Sequence, residues 1–127
     1  MSAPEILIIE DDDALRGELV ELLKTLGAVV TGVSDGHGAI VASRAQTFDR
    51  VLCDYKLRNE NGLDVLKALA GEIGAAVPDR FYLMTGHLDL TLAAREEIAA
   101  STRGLLMKPI RLAALRELVA TAGGAPC

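Results

Sequence analysis

Four acids in a row, Glu10, Asp11, Asp12 and Asp13, directly follow the apolar run Ile6-Leu7-Ile8-Ile9. Asp12 and Asp13 suit the positive end of a following helix, a contribution of a few tenths to about 1 kcal/mol. Glu10 and Asp11 instead continue the apolar run and repel each other there. Two such carboxylates call for a cation, and oxygen donors suit Mg²⁺. A single Asp54 follows Val51-Leu52-Cys53, Thr85-Gly86 follows Phe81-Tyr82-Leu83-Met84, and Lys108-Pro109 follows Gly104 to Met107. Taken singly, an Asp or Thr in such a place reads as a turn or cap residue, and a Lys as a solvated charge. Taken together, they set three carboxylates, a hydroxyl and an ammonium each at the end of an apolar run.

That pattern has meaning only if the runs are neighbouring strands. Ile6 to Ile9 is β-branched, short and uninterrupted, as expected of a strand buried on both faces. Leu15, Leu19, Leu22, Leu23 and Leu26 share one helical face that ends at Gly27. Further strands are expected at Ala28 to Val33, Phe48 to Cys53, Phe81 to Met84 and Gly104 to Met107. Helices are expected over Gly36 to Gln46, capped by Asp35, through Leu63, Leu66, Leu69 and Ile73, over Leu88 to Ala100, and through Leu112, Leu115, Leu118 and Val119. Five strands alternating with five helices imply right-handed crossovers and a doubly wound, five-stranded parallel sheet of the α/β class. Ligands bind such sheets at the carboxyl ends of the strands, which is where the five candidate positions fall.

The 127 residues are 50% hydrophobic and 24% charged, enough for one compact domain without disulfides or a structural metal. Thirteen Lys and Arg against eighteen Asp and Glu give a net charge of −5, which opposes the counterion release that drives nucleic-acid binding. With no Trp, two Tyr and two Phe, a base-stacking platform is also poorly supplied. The two cysteines, Cys53 in an apolar run and Cys127 at the end, have no zinc-type spacing and fit a reducing compartment. No basic patch precedes an apolar stretch at the start, and no apolar run is long enough to span a bilayer. These features lead to an expectation of a cytoplasmic protein with no direct contact to nucleic acid or membrane.

The chain resembles the receiver domain of two-component response regulators over essentially its full length. Ile8-Ile9-Glu10-Asp11 matches the family's strand-end acid pair, and Asp54 with Gly62 eight residues on matches its phosphoacceptor loop. Thr85-Gly86 and Lys108-Pro109 match its Thr/Ser-plus-small-residue and Lys-Pro positions. The resemblance implies a flavodoxin-like receiver topology over residues 1–122, with 123–127 a frayed tail. It implies that Asp54 accepts a phosphoryl group from a histidine kinase or a histidine phosphotransfer protein. Asp11, Asp54 and the backbone carbonyl of Lys56 would ligate Mg²⁺, Glu10 would act through water, and Thr85 and Lys108 would bind phosphoryl oxygens. Positioning and charge neutralisation supply most of the catalysis in such a transfer. Signalling would pass through the fourth helix, the fifth strand and the fifth helix to a protein partner, since no output domain is expected after residue 122.

Four positions depart from the family or modulate it. Arg58 stands four residues after Asp54 where many receivers have Pro, and Leu105 stands three before Lys108 where an aromatic is common. Leu105 is expected simply to pack in the sheet, which removes the usual aromatic readout. Lys56 and His87, two residues beyond Asp54 and Thr85, would flank the phosphoryl group or remain solvated rim residues. Competing readings are a degenerate receiver acting as an unphosphorylated binding module, a Mg²⁺-dependent aspartyl phosphatase, and a flavodoxin-like flavin carrier. The retained Asp54, Thr85 and Lys108 argue against the first. The phosphatase needs a general-acid Asp where Lys56 stands, and the flavin carrier needs a phosphate-binding loop where Glu10 to Asp13 stand.

Overall fold

A computed structural model describes residues 3–86 and 90–122. Five strands, β1 (Glu5–Ile9), β2 (Val29–Val33), β3 (Arg50–Asp54), β4 (Phe81–Thr85) and β5 (Gly104–Met107), alternate with five helices. The helices are α1 (Asp13–Thr25), α2 (Gly36–Ala45), α3 (Gly62–Ile73), α4 (Leu92–Ser101) and α5 (Leu112–Ala122). All neighbouring strands are parallel, in the order β2-β1-β3-β4-β5. This is the flavodoxin-like receiver fold, with the order reversing between β1 and β3.

Alternation along the strands builds two cores. Leu7, Ile9, Val51, Cys53, Phe81 and Leu83 face one side, where Leu63, Leu66 and Leu69 of α3 and Ile98 of α4 cover them. Ile6, Ile8, Leu52 and Met84 face the other, under Leu19 and Leu23 of α1 and Leu115 and Leu118 of α5. Each fully buried Leu or Ile contributes about 1.5–3 kcal/mol relative to exposure, so the central strands are the most strongly held part of the molecule. That rigidity fixes the positions of their carboxyl ends.

Four helix starts are fixed by side-chain caps. Asp12, Asp35, Asn61 and Thr91 each accept a backbone N–H three residues on, capping α1, α2, α3 and α4. Several boundaries move. Phe48 is buried but precedes β3, which runs instead from Arg50 and takes in Asp54, whose register partner is Met84. Burial of an apolar side chain marks the core, and not necessarily a strand. The helix expected from Leu88 begins at Leu92 after its Thr91 cap, with 87–89 outside the described residues. A short 3₁₀ turn, Pro78–Arg80, leads into β4. Leu22, Ile73 and Leu112 are substantially exposed, so the buried stripes of α1, α3 and α5 are narrower than the apolar pattern suggests.

Candidate functional site

The register of β1, β3 and β4 brings the strand-end residues to one rim. Ile9 pairs with Cys53 and Asp54 with Met84, so Glu10, Asp54 and Thr85 emerge side by side. Hydrogen bonds from the Glu10 N–H to the Val33 carbonyl (3.0 Å) and from the Tyr55 N–H to the Met84 carbonyl (2.8 Å) extend the pairing past the strands. Glu10, Asp54 and Thr85 are all buried. Asp11 is half-buried beside them, and one carboxylate oxygen from each of Glu10, Asp11 and Asp54 lies within 4.8 Å of the others.

Lys108 closes the group from β5. Its Nζ lies 3.1 Å from Glu10 Oε1 and 3.1 Å from Asp54 Oδ2. Its backbone N–H donates to the Thr85 carbonyl at 2.8 Å, which ties the end of β5 to β4, and the Lys108–Pro109 peptide bond is cis. The Thr85 hydroxyl donates to the Gly86 carbonyl at 3.0 Å. Thus the expected residues Glu10, Asp11, Asp54, Thr85 and Lys108 share one rim, and four of them are linked directly or through Lys108.

The electrostatics follow from burying like charges together. Burial pushes the Glu10 carboxyl up to about 7, with the nearby Asp54 charge adding and the hydrogen bond from Lys108 opposing. Burial alone would lower the Lys108 ammonium; its bonds to Glu10 and Asp54, and their charges, outweigh that and raise it above the usual 10.5. One lysine therefore contacts two of the three clustered carboxylates, Glu10 and Asp54. The donor set, all hard oxygen and short of positive charge, fits Mg²⁺ and not a soft or thiolate-seeking metal. Burial, followed by the neighbouring Asp54 charge, holds the Cys53 thiol well above its ordinary value, so it is no nucleophile at neutral pH.

Other expected positions lie around this centre. Lys56 is exposed on the β3–α3 loop and forms an isolated antiparallel bridge with Asn61. Arg58 is exposed, while Leu57 beside it is buried in the core. Leu105 is half-buried and packs against the core, as expected of a sheet residue. His87 lies outside the described residues.

Arg16 is a site residue that the sequence pattern does not single out. Its guanidinium donates to the Glu10 carbonyl at 2.8 Å and to Asp13 Oδ1 at 2.6 Å, pinning the turn that carries the acid pair to α1. Its i,i+3 spacing from Asp13 is the available signal. Glu60 also reaches across the rim, its Oε2 accepting the Gly36 N–H of α2 at 2.9 Å.

Residues 6–120 match the family model described as the response regulator receiver domain. The transcriptional activator protein PfeR of Pseudomonas aeruginosa is 34% identical over 116 residues, which are 89% of this chain and 35% of that protein. Ethylene receptor 2 of Oryza sativa is 31% identical over 113 residues, 87% of this chain and 15% of the receptor. The chain thus spans about a third or less of these relatives' lengths. Among solved structures, a receiver domain from Methylobacillus flagellatus superposes with a TM-score of 0.79 at 27% identity, over 95% of this chain and 99% of that one. The receiver domain of a sensor histidine kinase from Pseudomonas aeruginosa, described with a magnesium ion coordinated in its active site cleft, superposes at 0.80 and 26% identity, over 98% and 100%. With the sheet order and the strand-end acids already in place, these matches lead to one conclusion: the chain belongs to the response regulator receiver domain family.

Proposed function

We propose that this chain is a phosphoacceptor of a two-component phosphorelay, phosphorylated on Asp54. The observation that carries the reading is the Lys108 ammonium held 3.1 Å from both Glu10 and Asp54 at the carboxyl ends of adjacent strands. A buried carboxylate with a fixed cation at its oxygen is prepared to receive a dianionic group. In the transfer, an Asp54 oxygen attacks phosphorus in line with the leaving nitrogen of a phosphohistidine. The P–N bond breaks, an acyl phosphate forms on Asp54, and the donor imidazole leaves with the electron pair and takes up a proton. Lys108 exchanges part of its contact with Asp54 for a phosphoryl oxygen, and the Thr85 hydroxyl turns from the Gly86 carbonyl to donate to another. Glu10, Asp11, Asp54 and the Lys56 carbonyl would hold Mg²⁺, which when bound offsets the repulsion between the carboxylate and the incoming phosphoryl group.

The donor in this reading is a histidine kinase or a histidine phosphotransfer protein, and the chain assists its own phosphorylation and dephosphorylation without being an enzyme for a separate substrate. Residues 1–122 form the receiver. The output is protein–protein contact through α4, β5 and α5, in the cytoplasm. Among the described residues, no helix is long and apolar enough to cross a membrane.

Incubation with acetyl phosphate and Mg²⁺, followed by intact-mass measurement, tests the reading. One added phosphoryl group is expected, absent with a chelator and absent in Asp54→Asn. Equal labelling of Asp54→Asn overturns it.

A further inference from the structure

The loop between β3 and α3 carries Lys56, whose carbonyl the proposed function assigns to the metal, and several hydrogen bonds close it on itself. The Leu57 N–H donates to the Glu60 carbonyl at 3.1 Å, the Gly62 N–H donates to the Tyr55 carbonyl at 2.7 Å, and Lys56 bridges Asn61. At its start the loop is tied to β4 by the Tyr55 N–H, which donates to the Met84 carbonyl at 2.8 Å. Buried Leu57 anchors it from below. On the upper side, Glu60 reaches across a polar cleft, also lined by Asp11, Asp35, His37 and Asn59, to the first residue of α2.

The contact is specific in chemistry and in shape. A carboxylate on the N–H of a helix's first turn is a charge-assisted hydrogen bond aided by the helix dipole. The Asp35 cap takes the Gly38 N–H and leaves the Gly36 N–H to Glu60. Gly36 is buried, and a Cβ there would lie 2.6 Å from Glu60 Oε1 and 3.2 Å from Val65 Cγ2. A side chain at this position would therefore have to push the Glu60 carboxylate off its seat.

We infer that Glu60 is a positioning residue for the metal site: by clamping the phosphoacceptor loop to the start of α2, it sets the Lys56 carbonyl relative to Asp11 and Asp54. The inference rests on the phosphoacceptor reading and adds a residue to it that touches neither metal nor phosphoryl group. Glu60 acts on the metal site through this hydrogen bond and not by placing its own charge at the centre, which separates it from the three acids there.

Mg²⁺ titration of the wild type, Glu60→Ala, Glu60→Gln and Gly36→Ala tests the inference, with amide exchange of the metal-free proteins as a second readout and thermal melting as a folding control. Loss of a supporting partner around a metal ligand costs about 10–100-fold in affinity. Glu60→Ala and Gly36→Ala are expected to weaken Mg²⁺ binding about tenfold, the low end of that range, and to lose protection at residue 36. Glu60→Gln keeps an oxygen acceptor for the Gly36 N–H, in a weaker uncharged bond, and is expected to lose clearly less than Glu60→Ala in both readouts. If Glu60→Gln falls as far as Glu60→Ala while Gly36→Ala binds normally, Glu60 acts by charge and the inference is wrong. Unchanged affinity in all three variants also overturns it. A wild type that binds no Mg²⁺ instead defeats the phosphoacceptor reading underneath.

Discussion

Replacing Gly62 with alanine is a sharp test of how Asp54 is held, because the same substitution nine residues along the same helix should act oppositely. A Cβ at Gly62 would collide with Leu83 Cδ2 and lie 2.9 Å from the Asp54 carbonyl oxygen and 3.2 Å from the Tyr55 Cα. Two of those neighbours are backbone, and Leu83 is fully buried in β4, so none can swing aside. Overpacking of this kind costs about 1–3 kcal/mol, and fixed neighbours on both sides put Gly62→Ala near the upper figure. Gly71, exposed in α3, has nothing within 4 Å of the point a Cβ would occupy, so Gly71→Ala gains helix propensity with no clash. That gain is about 0.5–1 kcal/mol. At an unfolding entropy of about 2 cal/mol/K per residue, 1 kcal/mol shifts the Tm of a chain this long by about 4 °C. Thermal melting followed by circular dichroism is thus expected to show a fall of about 10 °C for Gly62→Ala and a rise of about 2–4 °C for Gly71→Ala. A Gly62→Ala protein melting at or above the wild type would refute the packing of α3 against the end of β3.

Three further outcomes follow from the site. Glu10 has its carboxyl raised from 4.5 to about 7, so the folded metal-free protein binds that proton more tightly than the unfolded chain. Its stabilising contribution is full below pH 4.5 and is lost as pH rises through 7, by on the order of 3 kcal/mol; urea melts of wild type and Glu10→Gln in chelator should diverge over that window, and parallel pH profiles would contradict the role of burial. Lys56, exposed two residues beyond Asp54, is expected to cover the phosphoryl group, so Lys56→Ala should dephosphorylate faster after donor removal; an unchanged decay rate would leave Lys56 only its carbonyl role. With Leu105 half-buried and lacking a polar tip, phosphorylation is expected to alter amide exchange at Thr85 and near Leu92, and changes confined to Leu105 would be inconsistent with that route.

Much of this site is legible in the sequence because its residues terminate apolar runs. Ile6 to Ile9 can only be a strand buried on both faces, and whatever follows such a strand in a parallel sheet stands at the ligand-binding rim. Glu10, Asp54, Thr85 and Lys108 are placed in this way whatever the strand order. The order itself, which seats β1 beside β3, is not written in any local pattern and follows only from crossover rules together with the family resemblance. Arg16 and Glu60 are illegible for a different reason. Arg16 sits among Ala14, Leu15 and Gly17 with only its i,i+3 spacing from Asp13 as a local signal, and the partner of Glu60, the Gly36 N–H, is brought near only by the tertiary fold. Phe48 misleads because a buried aromatic just before a strand has the same local pattern as one inside it. Leu22 and Leu112 mislead because apolar spacing on a helix marks a stripe wider than the sheet below can cover.

The central claim is that Asp54, and none of its acidic neighbours, carries the phosphoryl group. Reduction of the acyl phosphate with borohydride converts the modified aspartate to homoserine, which peptide mass spectrometry locates directly. After incubation with acetyl phosphate and Mg²⁺, homoserine is expected at position 54 alone. Homoserine at position 11, 12 or 13 with position 54 intact would contradict the account.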